Sequence, residues 1–265
     1  LDRLRAGDPG FARHPGAAAA YALATALAAA LSPFLVLADL WLGPAMAVVA
    51  LAIAAIHRRF QLLTLAWAGT LAAAAAVALL VRPGMLRGAD IGPLPVLNEL
   101  GGALALAILA LGLGARLWTA DPLRTRAYDG AAMVIGMAGV GLLIRHAAGG
   151  GELFGPEAGL GEASGYAIAY TGMAASLAWR FAAAGGVVWR VAEVIATLVG
   201  LGGIVYGVTL LDQAPANGWP VLNLLLPAFA LPALFLAAQS AAQNRQGQAG
   251  RATFTSLAAM ATTFV

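Results

Sequence analysis

Long apolar runs separated by short polar gaps follow one another through almost the whole chain. They lie at residues 17–38, 44–56, 60–81, 94–117, 127–144, 164–179, 187–211, 219–242 and from 252 onward. Most are as long as a helix that crosses a bilayer, and none shows the alternation typical of a membrane strand. The pattern predicts an all-α, polytopic transmembrane helix bundle of about nine spans. Residues 17–265 would form this membrane domain, and residues 1–16 a polar connector.

The composition explains why lipid must be the solvent. Hydrophobic residues make up 61% of the chain and charged residues only 10%, whereas a soluble domain carries about 25% charged residues. Only helices or closed barrels satisfy their backbone polar groups in lipid. The net charge of +3 is too small to predict nucleic-acid binding. The absence of cysteine excludes disulfides, thiolate nucleophiles and cysteine-ligated metals.

Arginine placement predicts the orientation. All fifteen basic residues are arginine, and twelve of them fall on one side of the predicted membrane: residues 3, 5, 13, 58, 59, 116, 124, 126, 180, 190, 245 and 251. Positively charged loops stay in the cytoplasm. We therefore expect a multi-pass protein of the bacterial inner membrane with residues 1–16 in the cytoplasm. Tryptophans near the span ends are typical of an aromatic belt.

A short motif occurs twice. Pro95-Val96-Leu97-Asn98 returns 125 residues later as Pro220-Val221-Leu222-Asn223 and opens a predicted span in both places. Four spans separate the copies, and an even number keeps the direction through the membrane. The sequence thus predicts two parallel four-span repeats, at about residues 59–146 and 190–265, rather than inverted repeats.

This arrangement resembles a family of very large bacterial predicted membrane proteins, known as domain of unknown function 2339. The resemblance covers about residues 59–265 and implies that the chain is a fragment of a larger protein. It also implies an arginine-histidine motif at the end of the helix after the first copy, which reads Ile144-Arg145-His146 here, followed by Gly149-Gly150-Gly151. Leu143 stands where the family often has an acidic residue, and the family's second histidine is missing. This departure argues against catalysis by His146.

The outer ends of the spans hold the residues that could bind a ligand. Asn98, Glu99, Arg145, His146 and Asn223 are predicted to lie near one membrane depth. They could form a polar pocket for a lipid headgroup or a glycan-like ligand. Alternatively, the two asparagines cap helices, Glu99 and Arg145 form a structural ion pair, and His146 is a solvated group at the mouth.

Other polar and glycine positions favour structural roles. Glu193 is expected to pair with arginines at the inner rim, such as Arg190. Gly203 and Gly207 predict close helix packing, and Gly-rich faces would also suit a homo- or hetero-oligomer. The sequence has no G-x-S-x-G, H-E-x-x-H or P-loop motif, so we assign no catalytic residue, metal or cofactor.

Three functions remain open at this point. The leading hypothesis is a non-enzymatic membrane scaffold or an envelope-associated binding component whose partner is membrane lipid. The first alternative is a transporter or flippase for a lipid-linked or glycan substrate. The second is a membrane enzyme acting at the outer rim through Glu99 and His146.

Overall fold

The computed structural model describes residues 15–82, 91–92, 94, 97–154, 159–180, 186–211 and 226–264. Within these ranges every regular element is a helix, so the predicted all-α class is confirmed. The helices are α1 (Pro15–Leu31), α2 (Pro33–Val36), α3 (Asp39–Phe60), α4 (Leu63–Leu80), α5 (Glu99–Leu117), α6 (Pro122–Ala148), α7 (Gly159–Arg180), α8 (Val187–Thr209), α9 (Leu231–Arg245) and α10 (Ala249–Thr263). A π-helical turn at Leu226–Ala230 leads into α9.

Seven stretches of the described residues are long and apolar enough to cross a membrane. They are Ala19–Val36, Asp39–Phe60, Leu63–Leu80, Glu99–Leu117, Pro122–Ala148, Val187–Thr209 and Leu226–Arg245. They correspond to seven of the nine predicted spans. The other two predicted spans are also helical, as α7 and α10.

Helix α3 extends at both ends beyond the apolar run from which it was predicted. The second run, residues 44–56, lies inside the longer helix α3, which begins at Asp39 and ends at Phe60. Its last turn carries His57, Arg58 and Arg59, because basic side chains are favourable near the negative end of a helix dipole. Gln61 then adopts a left-handed φ of 55° and ends the helix.

The described residues divide into two compact units. The first lies within Leu1–Gly92 and Leu97–Gly139, and the second within Pro93–Val96 and Val140–Val265. In the first unit, α3 packs against both α4 and α5. Tyr128 fixes this packing, because its hydroxyl donates to the Ala50 carbonyl at 2.9 Å. Gly69 and Gly114 leave the space that the Tyr128 side chain fills.

In the second unit, α7 packs against α8 and α9, and α10 packs against α9. The core is built from small and medium apolar side chains of these helices and of the π-helical turn: Leu160, Ala167, Ile204, Ala228, Phe229, Leu236 and Ala259. Alanine and glycine at the helix contacts let the backbones approach closely, which is how helices associate in lipid.

The two units follow the same packing order along the chain. Helix α4 begins at Leu63 and α8 at Val187, while α6 begins at Pro122 and α10 at Ala249. In both cases the number of residues between the two helix starts is close to the spacing of the two motif copies. In the first unit α3 contacts α4 and α5, and in the second unit α7 contacts α8 and α9. This is the packing that a parallel repeat requires, and the repeat stays a prediction.

Replacing Gly203 with alanine is expected to destabilise the second unit by about 1–3 kcal/mol. A Cβ atom at this position would lie 2.7 Å from the backbone nitrogen of Ala167 in α7, so the two helices would have to separate. The neighbouring Gly202 is the matched control, because a Cβ there meets nothing within 4 Å. Gly202→Ala should be neutral or stabilising by about 1 kcal/mol through helix propensity. Thermal unfolding in detergent measures both, and equal midpoints would contradict the close contact.

Candidate functional site

Buried polar side chains are concentrated in the second unit. Among the described residues, all the buried charged, imidazole, amide and aliphatic hydroxyl side chains lie there: His146, Glu162, Ser164, Thr171, Glu193, Thr197, Gln239, Gln243, Thr255 and Thr262. Placing such groups inside a membrane domain is costly, and they typically mark sites of function. The second unit is therefore where a site is expected.

Four helix ends of this unit meet at what we call its arginine-rich end. This end contains the last turns of α7 and α9 and the first turns of α8 and α10, with Arg180, Arg190, Arg245 and Arg251. The Arg245 guanidinium lies 4.6 Å from the ring centre of Trp179. The Gln246 side chain donates to the Ala178 carbonyl at 2.7 Å. These contacts fix the helix ends around the buried polar groups.

Glu193 is the centre of the largest polar cluster, which we call the amide–carboxylate site. Its Oε1 atom accepts hydrogen bonds from Gln239 Nε2 at 3.0 Å and from Gln243 Nε2 at 2.7 Å. Its Oε2 atom lies 2.9 Å from a guanidinium nitrogen of Arg251. Glu193 is only 1% exposed, so these three donors replace the water that a carboxylate would otherwise bind.

Two threonines complete the site. The Thr255 hydroxyl donates to Gln243 Oε1 at 2.9 Å, which fixes the orientation of that amide. Gln239 Nε2 also donates to the Thr197 hydroxyl at 2.8 Å. Among the described residues, however, the Oε1 atom of Gln239 has no hydrogen-bond partner, although the residue is fully buried.

A recess of about 190 Å³ adjoins the amide–carboxylate site. Its polar wall includes Gln239, Gln243 and Arg251, and its other wall is formed by apolar side chains of α8 and α10, which include Val194, Leu198 and Phe254. Those three apolar side chains are exposed at the surface of the unit. A small apolar space with a few fixed polar groups is the usual form of a small-molecule site.

The chemistry of the site favours binding over bond breaking. Arg251 and two amides already occupy both oxygens of the Glu193 carboxylate, which leaves this group engaged in structural contacts. Within the described part of the chain, no three His, Cys, Asp or Glu side chains come together as a metal site would require.

A second polar cluster lies where α6 ends and α7 begins. Arg145 pairs with Glu162 at 2.5 Å, and the Tyr166 hydroxyl donates to the other oxygen of Glu162 at 3.1 Å. Arg145 also donates to the Leu153 carbonyl at 3.3 Å. The sequence had placed Glu162 in a loop, but the structure places it in the first turn of α7, buried beside Arg145.

His146 is not the solvated group that the sequence suggested. It is 1% exposed, and neither ring nitrogen has a hydrogen-bond partner among the described residues. The loop after α6 covers it, since the Gly151 backbone N–H donates to the His146 carbonyl at 2.9 Å. The expectation failed because the loop turns back over the helix end instead of leaving it.

The remaining predicted site residues are at helix starts or outside the described ranges. Asn98 caps α5, because its side chain accepts from the Gly101 N–H at 2.7 Å. Glu99 follows it and is exposed. The ion pair of Glu99 with Arg145 and a ligand role for Asn98, Glu99, Arg145 and His146 stay predictions. Asn223 lies outside the described residues.

The first unit has an aromatic cluster at its own arginine-bearing end. The Arg124 guanidinium lies 5.4 Å from the Trp67 ring centre and 5.5 Å from that of Trp118. Arg124 also pairs with Asp121. Desolvation raises the pKa of Asp121. Hydrogen bonds from the backbone and the guanidinium of Arg124, together with the positive charge of Arg124, lower it, and the resulting pKa lies below the usual range. This cluster is a structural anchor of the kind that membrane interfaces favour.

Comparison with known families agrees with a membrane protein. A family model described as "Predicted membrane protein (DUF2339)" matches residues 10–265. The chain belongs to this family. The family description names no activity, so the function of this DUF2339 chain has to be argued from its geometry. The chain matches no curated protein and no solved structure.

The sequence analysis singled out Glu193 but did not predict the amide–carboxylate site around it. Glu193 was expected to pair with inner-rim arginines such as Arg190. The structure pairs it with Arg251 of α10, which the sequence places on the same side, and not with the example chosen. Gln239 and Gln243 were not considered. Their spacing of four residues places two amides on one face of a helix, and that spacing at the end of an apolar run is the signal that could have found them.

Proposed function

We propose that this protein is a non-enzymatic binding component of the bacterial inner membrane, with its arginine-rich end in the cytoplasm. It takes an amphipathic small molecule into the recess between α8 and α10. The observation that carries the proposal is the buried Glu193 carboxylate, held by Gln239, Gln243 and Arg251 beside a partly apolar recess.

Two features support binding over a purely structural role. The polar wall of the recess is rigid, because each amide is held by a second contact. The opposite wall is apolar and exposed at the surface of the unit. A ligand with one polar and one apolar part would match both walls, and membrane lipid is its natural source.

The proposal predicts that an amphiphile protects the recess from a thiol reagent. The chain has no cysteine, so Val194→Cys introduces a single reactive thiol in the recess. The protein, in lipid nanodiscs, is treated with monobromobimane in the presence of a fatty acid, an alkyl maltoside or a single-chain phospholipid. We expect at least one of these probes to slow labelling at position 194 about tenfold or more.

Position 205 provides the matched control. Val205 is on the same helix and exposed, but it is not one of the residues that line the recess. Labelling of Val205→Cys should not change with any probe. If none of the probes protects position 194, or if all protect both positions equally, the recess is not a binding site.

A transporter is the second candidate, and one observation favours it. Thr197 extends the polar cluster one turn further along α8 than Glu193, away from the arginine-rich end. Such a step is what a substrate path would need. Reconstitution in liposomes tests this candidate: accelerated loss of fluorescence from an NBD-labelled lipid of the inner leaflet, upon addition of dithionite outside, would support a flippase.

A further inference from the structure

The Oε1 acceptor of Gln239, which has no donor among the residues that the structure describes, limits what the recess can bind. Both N–H groups of this amide are engaged, one on Glu193 and the other on Thr197. Rotating the amide by half a turn would place its oxygen against the Glu193 carboxylate, so the orientation is fixed. A buried acceptor without a donor costs about 1–3 kcal/mol. A ligand that donates an O–H or N–H to this atom would remove that cost.

Arg251 at the rim of the recess selects a second chemical group. Its guanidinium contacts Glu193 and Gln248 through two different nitrogens, and it carries five N–H donors in total. The Arg251 side chain is about one-third exposed, at 34%. An arginine with donors to spare at a membrane surface is well suited to a phosphate oxygen.

The apolar wall of the recess selects the third part of the ligand, its apolar chain. Val194 and Leu198 from α8 and Phe254 from α10 form a narrow, exposed surface. With a volume of about 190 Å³, the recess has room for the first part of one acyl chain beside a small polar group, and no room for two chains side by side.

We propose that the ligand is a single-chain phospholipid, that is, a lysophospholipid. This proposal rests on the binding function proposed above. Its phosphate contacts Arg251, the free glycerol hydroxyl next to the phosphate donates to Gln239 Oε1, and its chain lies along Val194 and Leu198. A diacyl phospholipid has that hydroxyl esterified and carries a second chain. It therefore lacks the donor that Gln239 requires and is too wide for the recess.

Three probes test the hydroxyl and the chain number without altering the protein's polar groups. Lysophosphatidylethanolamine, its 2-deoxy analogue and dipalmitoyl phosphatidylethanolamine are titrated against bimane labelling of the Val194→Cys protein in nanodiscs. The hydroxyl lipid should protect at the lowest concentration. The deoxy analogue should need about five- to tenfold more, the value of one hydrogen bond, and the diacyl lipid should give little protection. Equal protection by the hydroxyl and deoxy lipids, or by the diacyl lipid, would overturn the proposal.

A variant that fills the recess with a larger side chain tests where the lysophospholipid binds. The complex is measured by native mass spectrometry. Leu198→Trp should abolish the adduct, whereas Val205→Trp, exposed on the same helix, should leave it intact. An adduct that survives Leu198→Trp would place the lipid elsewhere and refute the assignment. If a fatty acid or an alkyl maltoside protects position 194 and the lysophospholipid does not, this inference fails while the proposed binding function stands.

Discussion

Replacing Arg251 with alanine is expected to cost about 3 kcal/mol of the free energy of unfolding, the lower end of the range for breaking a buried ion pair. The loss arises because the Glu193 carboxylate, 1% exposed, would stay buried without its guanidinium partner. We take the lower end because Arg251 itself is partly exposed. The two glutamines would still donate to the carboxylate and limit the damage.

The Glu193→Gln variant should lose less than the Arg251→Ala variant, because it removes the buried charge instead of isolating it. Combining the two changes should restore much of the stability lost in Arg251→Ala alone, and a double-mutant cycle from denaturation in mixed micelles measures the coupling. Arg190→Ala is the control: Arg190 is exposed on α8, and such substitutions are usually within about 0.5 kcal/mol of neutral. A larger loss for Arg190 than for Arg251 would favour the partner expected from the sequence.

The helical class could be predicted from the sequence because the lipid environment leaves few alternatives. Apolar runs and arginine-bearing gaps are local features, and each can be read without knowing what packs against it. The helix ends could not be read in this way. Helix α3 includes Asp39 and the polar residues from His57 to Arg59, which a hydropathy pattern excludes even though such residues suit helix ends.

The candidate site was harder to predict because it depends on which helices become neighbours. Glu193 could be recognised as a carboxylate inside an apolar run, but its partners come from positions 46 to 58 residues further along the chain. Arg190 is nearer in sequence and is on the same helix, yet the first turn of α10 brings Arg251 to the carboxylate. The same reason explains Arg145, whose partner Glu162 comes from the next helix.

The predicted repeat allows the residues of this site to be compared with the corresponding positions of the first unit. The positions 125 residues before Glu193, Gln239 and Gln243 are Ala68, Gly114 and Trp118. In the first unit, Gly114 makes room for the Tyr128 ring, so an aromatic side chain lies beside the position that corresponds to a buried amide in the second. If the units are repeats, packing does not require the polar cluster, and the second unit has specialised.

The orientation of the chain should give an all-or-none result in cysteine labelling. Arg58, in the last turn of α3, and Ala148, the last residue of α6, are both exposed. They lie at ends that the arginine distribution assigns to opposite sides of the membrane. Gly150 is less suitable for substitution than Ala148, because its φ of 64° would be strained with a side chain.

In intact spheroplasts, an impermeant maleimide should label Ala148→Cys and leave Arg58→Cys unlabelled. After permeabilisation both positions should react, which controls for accessibility. The physical reason is that twelve of the fifteen arginines would otherwise have to be moved across the membrane during insertion. Labelling of position 58 alone would reverse the orientation and place the amide–carboxylate site at the outer surface, where the proposed lipid would enter from the opposite leaflet.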